Sequence, residues 1–315
     1  MRRAGVGSGP QLGAAGVGQL PGPAMAGRPA RYLVFFQYLG TDFRGVMAVK
    51  PPQAGSGVQN HLERAAERLG SEEPVGFTIS SRTDSGAHAL CNSAHIDVCR
   101  PEGREPHPPH LLTQILNRHL EHPAIRVLRT VRVADDFHAR FSATSRRYVY
   151  RLVSGCSRLH QLPVWERKLC WVTRATQLDV AAMQEAAGHL VGTHDFSAFR
   201  STGKCDAWRN PVKTLVRATV VPGPPGPLAR HSDCRLQFWE LEFESQSFLY
   251  KQVRRMTGAL VSVGQGLLRP QQVRDMLASG APPSQPFIRI VPAWGLFLKS
   301  VQYRDLDWES DAVPA

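Results

Sequence analysis

From Tyr32 to Tyr38 the chain is almost continuously apolar and aromatic, which predicts a strand covered on both faces. Val58, Leu62, Ala65, Ala66 and Leu69 then recur at helical spacing, with Ser56 placed to cap the helix and Gly70 to end it. Val75, Phe77 and Ile79 alternate as in a half-buried strand, and so do Ala94, Ile96 and Val98. A Pro- and His-rich connection over 101–110 leads to a second helix marked by Leu111, Leu112, Ile115 and Leu116, and Ile125 to Val133 reads as another strand. The order strand, helix, strand, strand, helix, strand folds as one sheet with both helices on one face.

The rest of the chain follows the same logic. From Arg146 to Val153 the pattern puts Tyr148, Tyr150 and Leu152 on one face and Arg147, Val149, Arg151 and Val153 on the other. Leu178, Met183, Ala186, Ala187, Leu190 and Val191 form an amphipathic helix closed by Gly192, and Val212 to Val221 is a strand. Leu236 and Phe238 are followed by Trp239, Leu241 and Phe243, a one-residue change of phase that predicts a bulge. Leu249, Val253, Met256, Leu260 and Val263 stripe a further helix, with Arg254 and Arg255 beside the stripe. Gly264 and Gly266 end it, Pro270 to Leu277 is a short last helix, and Gly295 to Leu298 begins the final strand. Two α+β units are expected, 31–153 and 154–303, with a disordered tail or transit segment over 1–30 and an acidic disordered tail over 304–315.

Charge adds a partner. The formal net charge is +12 and the isoelectric point near 9.9, a balance that favours a polyanion such as nucleic acid. Residues 1–30 carry Arg2, Arg3 and Arg28 and no acid, which is either a disordered tail or a segment for import into an organelle, the mitochondrion first; otherwise the chain is nuclear or cytoplasmic. No apolar run approaches the length of a membrane span. Six cysteines, at 91, 99, 156, 170, 205 and 234, make no Cys-x-x-Cys pair, as in a reducing compartment. His88, Cys91, His95 and Cys99 could be written as a row of zinc ligands, but strand alternation sends such side chains to different faces, so no metal is expected.

Candidate chemistry sits in Ser80-Ser81-Arg82-Thr83-Asp84-Ser85-Gly86-Ala87-His88. A strand leads into this loop, and Ser85-Gly86 supplies a turn, so Asp84 is presented at a strand end. Taken alone, it is either an Asx-turn aspartate or a catalytic carboxylate beside a cation. His194-Asp195 reads as structural, since adjacent residues rarely face each other and no nucleophile in a sharp elbow accompanies them.

Further along, Asp136-Phe137-His138-Ala139-Arg140-Phe141-Ser142-Ala143-Thr144 runs into Arg146-Arg147-Tyr148-Val149-Tyr150. With the Arg82-Thr83-Asp84 loop, this resembles the tRNA pseudouridine synthase A (TruA) family. That family has an Arg-Thr-Asp-x-Gly-x-His loop, then Phe-x-Ala-Arg-x-Ser-Ala and Arg-x-Tyr-x-Tyr. Tyr38 to Gly45, Asp195 to Phe199 and Phe248 to Gly258 resemble further segments of it. The chain departs from the pattern after Gly45, where Val46 to Lys50 precede Pro51-Pro52, and at Ser81, where the family usually has glycine.

The resemblance implies a pseudouridine synthase fold, two similar ferredoxin-like units with antiparallel and mixed sheets around a central cleft. It implies an isomerase that turns uridine into pseudouridine in tRNA with no cofactor or metal, and a homodimer. Asp84 would be the catalytic nucleophile or base, whether attack falls on the ribose or on the pyrimidine ring. Tyr148 would pack against the target base, Arg254 would orient Asp84, and Arg82 would steer the space from which the base is flipped. An RNA-binding protein of the same fold without catalysis is the alternative.

Overall fold

The computed structural model describes residues 29–304 except 54, 157–160, 202–209, 225–235 and 281–288. Residues 1–28 and 305–315 of the expected tails, together with Cys205 and Cys234, therefore lie outside the described residues.

In the first half, β1 (Ala30–Tyr38), α1 (Val58–Ala66), β2 (Thr78–Ile79), β3 (His88–Val98), α2 (Pro109–His119) and β4 (Ile125–Arg132) follow in the expected order. β1 lies between β3 and β4, antiparallel to both, and β2 pairs with the outer edge of β3, giving the order β4-β1-β3-β2. α1 and α2 pack against each other, and α2 lies on β4.

Three local expectations need correction. The N-cap of α1 is Gly57, whose N–H donates to the Asn60 Oδ1 at 2.9 Å, and Ser56 instead places its hydroxyl 3.0 Å from the His61 ring. Val75, Phe77 and Ile79 are buried in alternation, but only Thr78 and Ile79 pair as strand. α1 supplies the reason: the Glu63 carboxylate accepts the Phe77 N–H and the Gln59 amide donates to its carbonyl, leaving neither group for a neighbouring strand. Val191 is 42% exposed and lies past the helix it was expected to join.

The second half contains β5 (Ala143–Ser154), β6 (Trp171–Val172), α3 (Val180–Leu190), β7 (Gly192–Asp195), β8 (Val212–Pro222), β9 (Gln237–Ser245), α4 (Gln252–Gly264), α5 (Pro270–Ser279) and β10 (Leu296–Tyr303). Its sheet runs β10-β5-β9-β8-β7. Taking β5, α3, β8, β9, α4 and β10 as the core, the order and pairing repeat those of the first half. β9 keeps an unbroken register against β5, so the expected bulge is not in β9; the irregularity falls on β8, between Leu215 and Arg217. The apolar phase changes in β9 because both sheet faces are covered there. Phe238 packs into a small second core with Val153, Cys156, Leu162 and Cys170, while Leu241 and Phe243 face the main one.

The halves join through β10, which pairs antiparallel with β5 and parallel with β3 at Phe297 with His88 and Leu298 with Ala89. β2 covers the same edge of β3 only at His95 and Ala94. The short β2 thus leaves the start of β3 open for β10, and one ten-stranded mixed sheet results. The loop from Ser80 to Ala87 lies at this seam. Among the described residues, no helix is long and apolar enough to cross a membrane.

Candidate active site

The Asp84 loop is held from three sides. Beneath it, Tyr38 at the end of β1 meets the Thr83 hydroxyl at 2.8 Å, and the buried Asn92 of β3 donates to the Ser81 carbonyl at 2.9 Å. Burial pushes the Tyr38 phenol up to about 12, so it stays protonated. At the end of the loop, His88 accepts the Gly40 N–H on Nδ1 at 2.9 Å, and its Nε2 faces the carbonyls of Lys168 and Trp294. That arrangement places the proton on Nε2 of a neutral ring, whose pKa is lowered chiefly by burial. Gly40 and Gly45 allow the preceding loop to lie directly on this one. A Cβ at Gly40 would sit 1.8 Å from the Ala87 carbonyl oxygen, and Gly45 has φ +95° with a Cβ position 2.7 Å from that of Thr83.

The third support is Arg146, which sequence reasoning did not single out. Its Nε donates to the Ser81 hydroxyl at 3.2 Å, Nη1 to the Gln246 carbonyl at 2.6 Å and Nη2 to the Arg140 carbonyl at 2.7 Å. One buried guanidinium therefore ties the Asp84 loop to the segments on either side of it. The signal was in the alternation: Arg146 shares its strand face with Tyr148, Tyr150 and Leu152, where a charge needs a reason. Ser81, the departure from glycine, is buried and gives this guanidinium an acceptor.

Asp84 meets Arg254 across the seam. Arg254, in the first turn of α4, donates from Nη1 to the Asp84 Oδ2 at 2.6 Å and from Nε to the Val291 carbonyl at 2.7 Å. The side chains are 22% and 14% exposed, so the pair is partly withdrawn from water while open to the cleft. Oδ1 of Asp84 has no hydrogen-bond partner among the described residues. Tyr148 lies in the same cleft with its ring edge-to-face on Phe248 at 5.3 Å, and burial raises its phenol pKa far enough that it is no base near neutrality. Arg82 also lines the cleft, exposed, and makes no ion pair among the described residues. All four expected site residues thus line one space, with Arg254 rather than Arg82 paired to Asp84.

That space is a cleft of about 1270 Å³ between the halves. Arg44, Arg82, Arg140, Arg146, Lys213, Lys251 and Arg254 line it, and Asp84 is the one carboxylate among its described lining residues. A basic cleft with a lone carboxylate suits attack on a neutral or electrophilic centre within a polyanion.

The other candidates are structural. The His194 ring lies 2.9 Å from the Val191 carbonyl, and Asp195 accepts the Ser197 N–H at 2.7 Å. On β3, His95 accepts the Ala139 N–H at 3.1 Å, and burial drives the Cys91 thiol up to about 12, so neither is set up as a ligand with His88. Among the described residues, no group of three His, Cys, Asp or Glu could hold a metal ion.

A family model described as tRNA pseudouridine synthase matches residues 34–142 and 186–304, the stretches that carry the Asp84 loop and Arg254. The chain is 60% identical to human tRNA pseudouridine synthase-like 1 over 285 residues, 90% of this chain and 93% of that protein. It is 51% identical to the Xenopus laevis protein of the same name, covering 87% and 91%. To tRNA pseudouridine synthase A of Paracoccus denitrificans it is 36% identical, covering 87% and 96%. With both stretches matched and relatives covered nearly end to end, the chain belongs to the tRNA pseudouridine synthase family.

Proposed function

We propose that this chain isomerises uridine to pseudouridine in tRNA, with Asp84 as the attacking or proton-abstracting carboxylate. The observation that carries the reading is the Asp84–Arg254 pair at 2.6 Å beside Tyr148, in a cleft otherwise lined by cations. The reaction breaks the bond from ribose C1′ to N1 of uracil, turns the base and joins C1′ to C5. The C5 proton leaves and N1 regains one, so atoms and electrons balance without an oxidant or a second substrate. Arg254, fixed at Nε by the Val291 carbonyl, holds one carboxylate oxygen and directs the other into the cleft. Tyr148 receives the extruded base as a neutral aromatic wall, and Arg82 reaches into the space the base vacates. Extrusion costs on the order of a few kcal/mol, which stacking and phosphate contacts must offset.

The test uses tRNA carrying tritium at uracil C5. The unaltered chain should release label, and Asp84→Asn should release none; full release by that variant would reject Asp84 as the reacting group. Residues 1–30, basic and free of acid, support a mitochondrial site of action. Mapping Asp84-dependent pseudouridine should then find it in organellar RNA, and sites confined to nuclear-encoded tRNA would reject that compartment. A homodimer is supported by the family alone, and sedimentation at the 34.8 kDa of a single chain would reject it.

A further inference from the structure

Two aromatic rings stand at the mouth of the cleft without being used by the chemistry above. Phe141 is 74% exposed and Tyr250 is 44% exposed, and both line the cleft. Single exposed apolar side chains are ordinary on a protein surface. These two are set apart by their company. The Arg140 guanidinium lies over the Phe141 ring at 5.6 Å, and the Lys251 ammonium over the Tyr250 ring at 4.8 Å. Each ring is therefore exposed and backed by a cation, Phe141 also by the His138 ring at 4.4 Å, and the two stand on different segments of chain.

Both segments are also braced. Phe141 occupies a tight turn in which its N–H donates to the His138 carbonyl at 3.0 Å, and the Ala139 N–H is anchored on His95. The Tyr250 carbonyl accepts the Ser201 N–H at 3.1 Å, and Lys251 next to it holds a left-handed backbone at φ 58°, uncommon for a residue with a side chain. Arg146 bonds the carbonyl of Arg140 on one side and that of Gln246 on the other, so one guanidinium fixes the separation of the two ring-bearing segments.

The geometry points to a two-ring clamp, Phe141 and Tyr250, that stacks the unpaired bases flanking the extruded uridine. It rests on the function proposed above. A uridine turned out toward Asp84 leaves its neighbours with exposed faces, and an aromatic ring accepts any base because every base has a π face. Arg140 and Lys251 are placed to neutralise the phosphates between those nucleotides. The clamp is thus blind to base identity and selects RNA that can be locally unstacked.

The test measures tRNA binding by the full chain carrying Asp84→Asn, so that no turnover intervenes. Adding Phe141→Leu or Tyr250→Leu keeps apolar bulk but removes the π face, and each should weaken binding by roughly 5- to 100-fold. Phe141→Tyr and Tyr250→Phe should bind as the parent does. Because ring removal leaves the charge unchanged, the slope of log K against log salt should stay the same, whereas Lys251→Gln should make it shallower by about 0.7 to 0.9. Ultraviolet crosslinking of the parent to tRNA, followed by peptide mass spectrometry, should place nucleotide adducts on Phe141 and Tyr250. Leucine variants that bind as tightly as the parent, with no adduct on either ring, would overturn the clamp and leave the catalytic reading standing. A parent that does not bind tRNA at all would overturn both.

Discussion

Arg254 reaches Asp84 from 170 residues away in sequence, and its two bonds leave from different nitrogens of one planar group. A lysine has a single terminal nitrogen and cannot serve both acceptors in that geometry. Arg254→Lys should therefore lower the single-turnover rate by roughly 10- to 100-fold, the worth of a charge-assisted hydrogen bond, with little change in tRNA affinity. An equal loss in affinity and none in rate would show that Arg254 serves binding instead. His95 gives a prediction about stability. Burial first, then Arg31 and His138, hold its pKa down to about 4 against an ordinary 6.5, with Asp97 opposing them. The folded state thus prefers the neutral ring that accepts the Ala139 N–H. Its contribution is present in full above pH 6.5 and is lost as pH falls through 6.5 toward 4. Urea unfolding at pH 7 and pH 5 should differ by about 2 kcal/mol on this account, and His95→Gln should remove most of that difference. At this scale the turn after a strand put Asp84 on a loop, but only the family resemblance favoured a reacting carboxylate over an Asx-turn aspartate. Arg254 came only by resemblance, since a helix arginine beside an apolar stripe looks the same whether it is solvated or paired. Arg146 could be suspected from its place on the apolar face of its strand, but its acceptors, the Ser81 hydroxyl and the carbonyls of Gln246 and Arg140, are brought to it only by the fold.

Among the elements, the close seating of the loop before α1 on the Asp84 loop is the most sensitive feature. Gly40→Ala would place a methyl group 1.8 Å from the Ala87 carbonyl oxygen, so one backbone must move. Gly188 in α3 is exposed and has nothing within 4 Å of its Cβ position. Gly40→Ala should cost about 1–3 kcal/mol of unfolding free energy and most of the activity. Gly188→Ala should stabilise by about 0.5–1 kcal/mol and leave activity unchanged. Thermal unfolding and tritium release on the same two variants check both; a Gly40→Ala protein as stable and active as the parent would show that the two loops do not depend on each other. Periodicity gave most elements their place, because α1, α3 and α5 each bury one stripe, whereas α4 is buried all round from Met256 to Gly264. It failed where backbone partners come from side chains or where a sheet is covered twice. The Phe77 hydrogen bonds go to Gln59 and Glu63, which shortens β2, and Phe238 and Leu241 both find a core, which mimics a bulge.

At the scale of the molecule, two βαββαβ halves share one sheet because β10 takes the edge of β3 that β2 leaves open. That join was not legible in the chain: it depends on β2 being two residues long, and on a parallel pairing of only Phe297 and Leu298 with His88 and Ala89. The order of elements in the first half could be read from apolar phase, whereas its repetition in the second came by resemblance, because β5 was counted with the first unit. The join sets the cleft between the halves and gathers Arg44, Arg82, Arg140, Arg146, Lys213, Lys251 and Arg254 around one carboxylate. Arg146 and Arg254 spend their donors on protein acceptors, and Arg44, Arg82, Arg140, Lys213 and Lys251 bring further positive charge to the same lining, where it meets phosphate. Each phosphate neutralised contributes about −0.7 to −0.9 to the slope of log K against log salt. With three to five of these side chains engaged, tRNA binding by Asp84→Asn should show a slope of roughly −2 to −4.5. Arg44→Ala combined with Lys213→Ala should make that slope shallower by about 1.5 and weaken every tRNA to a similar degree, since phosphate contacts carry no sequence information. A slope unchanged by the double substitution would mean that the RNA follows another path across the protein.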